Sequence, residues 1–274
     1  MENRMTALPA WLTCVESDPP ALLRAALWIA AEHDPTLQPE QVLREFANLR
    51  QQVSAGLPNL SAPDLAQPLL RRLGELDFHE DDDLPLRPRA ALLHQVLQRR
   101  RGQPLSLALI ALELAQRLDI PLQAVNFPGH LLLRVPGADH LLDPCNGRRL
   151  YTRDCRDLLA RVAGPGAQLS AAHFQACDGP ALLLRLSRNL CHLHGAAGDH
   201  LAALKDAERI LLLGTPSTGD HLLRAAIYHE LDCPQAERFD LERALLLCES
   251  EHDRLSLSRR LDELGRLGRT PALH

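Results

Sequence analysis

Between Leu22 and Leu49 the apolar positions recur every three or four residues. Leu22, Leu23, Ala26, Leu27 and Ala30 fall on one side of a first helix, with Trp28 beside them. The run His33-Asp34-Pro35-Thr36-Leu37 breaks the period. Pro39 suits the first turn of a second helix, along which Val42, Leu43, Phe46 and Leu49 repeat. Gly56, Pro58, Pro63 and Pro68 make 54–68 a chain of turns, and a further helix is predicted over Leu69–Leu76. The acidic run Glu80-Asp-Asp-Asp83, followed by Pro85 and Pro88, is read as a solvated loop rather than a cation or partner site.

The texture changes at Ala90. Ala91, Leu92, Val96 and Leu97 predict a helix ending near Arg99-Arg100-Arg101-Gly102. Pro104 then opens a helix through Leu118 with Leu105, Leu109 and Leu112 along one face. Three short apolar runs follow: Leu122–Phe127, His130–Val135 and His140–Leu142. Pro128-Gly129 and Pro136-Gly137-Ala138-Asp139 separate them, and the second break reads as a hairpin turn. A small antiparallel sheet set among helices is an α+β arrangement, mostly helical. The boundary with the C-terminal part is expected near 164–180, where Gly164, Pro165, Gly166, Gly179 and Pro180 cluster. That gives a first domain of residues 1–175, with its core at about 90–150, and a second of 180–274. The helices over 20–76 are too short to hold a core of their own, so they are expected to pack on the first domain.

From Ala181 the pattern is helical again. Ala207-Glu-Arg-Ile-Leu-Leu-Leu213 and Leu241-Glu-Arg-Ala-Leu-Leu-Leu247 align 34 residues apart, which is the period of tetratricopeptide helix pairs. Helices are expected at about 181–195, 199–213, 219–231 and 234–248, with a capping helix at 251–267. If such a stack grips a peptide or an extended protein segment, Arg185, Asn189, His192, Arg224 and Tyr228 on the first helices are the candidate groove residues.

Composition narrows the field. Of 274 residues, 46% are hydrophobic and only 3% aromatic, and Leu supplies about a fifth. That favours helices over strands. A formal charge of −5 and the lack of a basic stripe argue against a nucleic-acid partner. The residues after Met1–Met5 show no long apolar run, so neither a leader nor a membrane span is expected. The seven cysteines are odd in number and scattered, without a CxxC, which suggests reduced thiols and a cytoplasmic setting. No metal and no cofactor is expected, for there is no HExxH and no ordered Cys/His knuckle.

Three polar residues punctuate the central segment. Ser106 lies in the first turn of the Pro104 helix, His130 begins the second apolar run, and Asp143 ends the third before Pro144. A nucleophile at a helix N-terminus, a histidine base and an orienting carboxylate form a workable layout for acyl transfer. Each also has a plain structural role: Ser106 satisfying backbone groups, His130 bonded to Asp143 across two strands, Asp143 capping a turn. If the last pairing holds, loss of His130 strands a carboxylate and costs ~1–3 kcal/mol. Cys145, two residues past Asp143, is read as a small apolar replacement rather than a relocated nucleophile.

Three motifs in order resemble the bacterial SirB family: Arg100-Arg-Gly-Gln-Pro-Leu-Ser106-Leu, Asn126-Phe-Pro-Gly-His130-Leu-Leu-Leu-Arg134 and Leu142-Asp143-Pro-Cys-Asn-Gly147. The helix Ala25–His33 and the approach Leu92–Arg99 are similar too. The resemblance implies a papain/transglutaminase-like core, a helix packed on a small antiparallel sheet, followed by a tetratricopeptide tail. It also implies a link to expression of the regulator SirC. Active transglutaminase-like members carry Cys, His and Asp. His130 and Asp143 match, whereas Ser106 stands where the thiol would be. A helix terminus and an imidazolium can turn a thiol into a thiolate near neutral pH, but they cannot ionise a serine hydroxyl. The resemblance therefore implies a pseudoenzyme that works through a protein or peptide partner. The alternative is a serine-dependent amidase, peptidase or acyltransferase using Ser106, His130 and Asp143, which requires Ser106 Oγ within reach of His130 and an open cleft.

Overall fold

Pro39, Pro104 and Pro234 each open a helix, at the one helical position where a missing N–H costs nothing. The computed structural model describes residues 9–17 and 21–267; Met1–Met5, read above for a leader, lie outside the described residues. Among the described residues, no helix is long and apolar enough to cross a membrane. The chain divides into two units, 1–186 and 187–274.

The first unit begins with α1 (Ala10–Val15), α2 (Leu22–Ala31), α3 (Pro39–Ser54) and α4 (Ala66–Glu75). Strand β1 (His79–Glu80) pairs in parallel with β2 (Arg101–Gly102), and α5 (Leu93–Arg99) lies between them in sequence. Next comes α6 (Pro104–Arg117), which packs against α2, α4 and α5. Leu105 through Ala111 are all buried, as are Leu114 and Ala115. The sequence suggests a single apolar face, but a helix buried nearly all round is the central element of a core. The sheet runs in the order β3 (Gln123–Phe127), β4 (His130–Arg134), β5 (Leu141–Leu142) and β6 (Arg149–Leu150), antiparallel throughout. Helix α7 (Thr152–Ala163) follows. Cys155 and Leu159 from it join Val125, Phe127, Leu132, Leu141 and Leu150 in one buried cluster.

The three arginines at the end of α5 all have work in the fold. Arg100 ends the helix in a left-handed conformation and donates to Leu76 O at 2.7 Å. Arg101 reaches Asp77. Arg99 pairs with Asp81 at 2.7 Å and with Asp83 at 3.3 Å. The acidic run is therefore not simply a solvated loop: Asp81 is 7% exposed and clasped by Arg99, and only Asp82 of the three aspartates is fully at the surface. Arg99 holds the Asp81 carboxyl below its ordinary value, against a smaller opposing effect of burial. Gly102 is required by close approach, since a Cβ there would meet Val96 Cγ1 at 2.6 Å and Ala90 O at 3.3 Å.

Helix α8 (Gly179–Ala196) carries the division between units, which falls between Leu186 and Ser187. That is later than the glycine and proline cluster. The first turns of α8 belong with the sheet, because Arg185 donates to Asn126 Oδ1 and, at 3.0 Å, to His130 O.

The second unit continues with α9 (His200–Leu213), α10 (Thr218–Glu230), α11 (Pro234–Leu247) and α12 (Glu251–Leu267). Helices α9 and α11 begin and end 34 residues apart. Asp199 caps α9 through Ala202 N–H, and Ser217 with Asp220 forms a capping box on α10. Ala225, Leu241, Ala244, Cys248 and Leu257 form the buried cluster that joins α10, α11 and α12.

Candidate functional site

Ser106 is the third residue of α6 and is 0% exposed. Its hydroxyl donates to Ala90 O at 3.2 Å, with Ala91 O at 3.4 Å. The side chain thus faces the segment leading into α5 and satisfies a backbone acceptor there.

His130 is the first residue of β4, directly opposite Phe127 on β3. Alternation along the strand puts its side chain on the face shared by Phe127 and Leu132. That face carries the cluster with Cys155 and Leu159 of α7, to which α6 contributes no residue. Asp143 follows β5. With Leu133 opposite Leu142, the register places Asp143 across from Leu132, two residues along from His130. Its carboxylate accepts from Cys145 N–H at 2.8 Å and from Asn146 Nδ2 at 3.1 Å, and its carbonyl accepts from Gly147 N–H at 2.9 Å. Asp143 is the cap of a tight turn.

The three residues sit on a helix start, a strand start and the end of a neighbouring strand. The geometry nonetheless leaves them apart: among the described residues, no hydrogen bond or ion pair joins Ser106, His130 and Asp143. Ser106 points to the α5 approach, away from both others. His130 and the position of Asp143 share a face of the sheet, but the Asp143 carboxylate is taken up by its own loop. Cys145 is not poised as a thiolate either. Burial, then the nearby Asp143 and Glu80, push its thiol well above the ordinary value, so it stays protonated.

The candidate groove residues separate as well. Arg185 belongs to the first unit and is committed to the β3–β4 hairpin; its burial lowers the guanidinium pKa. That corrects its assignment to the groove. Arg224 is also committed, to Asp240 at 2.7 and 2.9 Å, and lies 5.8 Å over the Tyr228 ring. His192 is exposed, and Asn189 and Tyr228 are half-buried.

Sequence reading missed the polar centres of the helical tail. Asp240 is 0% exposed and accepts from His221 Nδ1 at 2.8 Å as well as from Arg224. Asp206, also 0% exposed, bonds His194 at 2.7 Å and Arg209 at 2.8 Å. Glu237 lies between His229 and Arg260. The signal was present: Asp206 and Asp240 are 34 residues apart and stand one residue before the aligned segments.

Comparison with known proteins decides the family. Residues 40–188, more than half of the chain, match the model of the transglutaminase-like superfamily. The UPF0162 protein PA3419 of Pseudomonas aeruginosa is 59% identical, over 93% of this chain and 95% of its own. The UPF0162 protein YchA of Escherichia coli K12 is 30% identical over 58% of this chain and 60% of its own. Protein SirB1 of Salmonella typhimurium is 28% identical over 64% and 66% respectively. This chain belongs to the SirB family of transglutaminase-like proteins. No solved structure matches it.

In this SirB-family chain, the matched region runs from α3 to the first half of α8. It therefore includes Arg185 and all three motif residues. Because the Asp143 carboxylate is satisfied within its own turn, His130→Ala should not strand it. The expected loss in urea unfolding is below ~1 kcal/mol, as for a side chain without a buried partner. A loss of several kcal/mol would mean that the ring supports the sheet.

Proposed function

We propose that the protein is a non-catalytic transglutaminase-like protein that acts by protein–protein interaction, in a regulatory role as the family resemblance implies and in the cytoplasm as its scattered cysteines suggest. The observation that carries this reading is the state of Ser106. A nucleophilic hydroxyl needs a base within hydrogen-bond reach and access for the substrate. Ser106 has neither: it is fully buried and spends its proton on Ala90 O. The helical tail is read as a tetratricopeptide-like stack, supported by the repeat of 34 residues and by the recurring buried aspartates. It offers exposed side chains such as His192 to a protein or peptide.

Ser106→Cys tests the reading. In the folded variant the introduced thiol should alkylate with iodoacetamide far more slowly than Cys233, which is exposed, and should catch up after unfolding. Peptide mass mapping separates the two sites. Fast alkylation at position 106 near pH 7 would mean that a helix terminus and an imidazole activate it, and the serine-dependent enzyme would become the better reading.

A further inference from the structure

Helix α11 buries Leu241, Ala244 and Cys248 in the core of the helical tail. On its opposite side, at helical spacing, lie Phe239, Glu242, Arg243 and Leu246, all exposed. Phe239 is 50% and Leu246 73% exposed. The other phenylalanines, Phe46, Phe78, Phe127 and Phe174, are all buried or half-buried, so an open one on a helix marks a contact surface. Arg243 lies 5.2 Å over the Phe239 ring and makes no ion pair among the described residues. The 34-residue repeat does not impose this stripe. Counted back by that period, Phe239 falls on Lys205 of α9, and Arg243 falls on Arg209, which is buried against Asp206. Only α11 adds an aromatic ring and an open base to the glutamate and leucine that both helices share.

The order of the stripe selects its occupant. Read in one direction it runs apolar, acid, base, apolar; read in the other it runs apolar, base, acid, apolar. Such a surface is complementary to itself when one copy is reversed, which is what a two-fold contact requires. We propose that this stripe pairs with the same stripe of a second copy of the chain, the two α11 helices antiparallel about an axis between Glu242 and Arg243. Phe239 then lies against Leu246 of the second copy, and Glu242 against its Arg243, each contact made twice. Gln235 and Ser250 fall opposite one another at the ends and give the patch a polar rim. A parallel arrangement would set like charges together. The contact between two helices of 14 residues is small, so the pairing belongs with weak associations, with a dissociation constant on the order of 10–100 µM. It does not rest on the function proposed above.

The test is sedimentation velocity of the full-length protein from about 5 to 500 µM, a range that brackets that constant. A reducing agent is present, because Cys233 is exposed. The wild type should shift from monomer to dimer across the range. Glu242→Arg and Arg243→Glu should each raise the dissociation constant at least about tenfold, since each sets two pairs of like charges face to face. An equal mixture of these two variants should associate about as tightly as the wild type, because every contact between unlike chains is then again acid on base. Leu246→Ser, which takes the apolar cover from Phe239 of the second copy, should leave monomer throughout. All three positions are exposed, so far-ultraviolet circular dichroism should be unchanged. A wild type that stays monomeric at the highest concentration, reversals that leave its association unaltered, or a mixture that stays monomeric where the wild type dimerises would overturn the proposal.

Discussion

Asp240→Ala is expected to destabilise the helical tail by ~3–5 kcal/mol, the cost of removing one member of a buried ion pair. The carboxylate is 0% exposed and takes three donors, Arg224 Nε, the second Arg224 nitrogen and His221 Nδ1. Deleting it leaves a guanidinium and an imidazole facing a space that water fills poorly. The replacement also removes the tie between α10 and α11, since both donors lie on α10 and the acceptor on α11. Amide hydrogen exchange along α10 and α11 measures the effect in the right unit. Asp240→Asn keeps the volume and one acceptor, so it should fall between the wild type and alanine. Glu242→Ala, two residues on, removes an exposed pair with Arg238 and should change stability by no more than ~0.5 kcal/mol. A loss below ~1 kcal/mol for Asp240→Ala would mean that the pair carries no stability and serves only to align the helices.

That aspartate also shows how much of the molecule was legible in the sequence. Most of the helices were, because their apolar positions recur at the helical period and prolines and glycines bracket them; α1 and α7 were not, and α7 is the helix that covers the face carrying His130. The longer strands were, because Pro128-Gly129 and the 136–139 break frame them. Strands β1, β2 and β6 were not, for two residues carry no period. The repeat was visible in its leucines, yet the leucines mislead about where it is held together. Leu212 and Leu246 occupy equivalent positions and are 66% and 73% exposed, while the residues just before the aligned segments, Asp206 and Asp240, are buried. In a chain so rich in leucine, an acid at a repeated position says more about the interior than another apolar residue does.

The site was legible only as an order of motifs. Sequence places Ser106 at a helix start and His130 at a strand start, but a triad depends on which way each side chain faces. Facing is set by register. The two-residue turn at Pro128-Gly129 puts His130 opposite Phe127, and so onto the α7 face. Arg185 is the same lesson on a helix. A period marks it as lying on a surface of α8, but only the fold shows that this surface meets the hairpin.

Gly147→Ala is expected to cost the first unit ~2–5 kcal/mol, from two separable sources. Gly147 closes the Asp143 turn with φ +69°, a left-handed conformation that costs a residue with a Cβ ~1–2 kcal/mol. A Cβ there would also lie 3.0 Å from Leu70 Cβ and 3.3 Å from Gln67 O, on helix α4. Gln67 Nε2 donates to Gly147 O at 2.9 Å, so the helix cannot back away without breaking that bond. Crowding of this kind adds ~1–3 kcal/mol. The third family motif thus has a structural reading: its glycine lets the loop after β5 lie against the N-terminal helices. Gly137→Ala isolates the first source, because Gly137 has φ +83° and nothing within 4 Å of its added Cβ. It should cost only ~1–2 kcal/mol. Urea unfolding followed by the fluorescence of Trp11 and Trp28, both in the same unit, compares the two variants. Equal losses would show that the turn conformation alone demands glycine at 147, and that the approach to α4 contributes nothing.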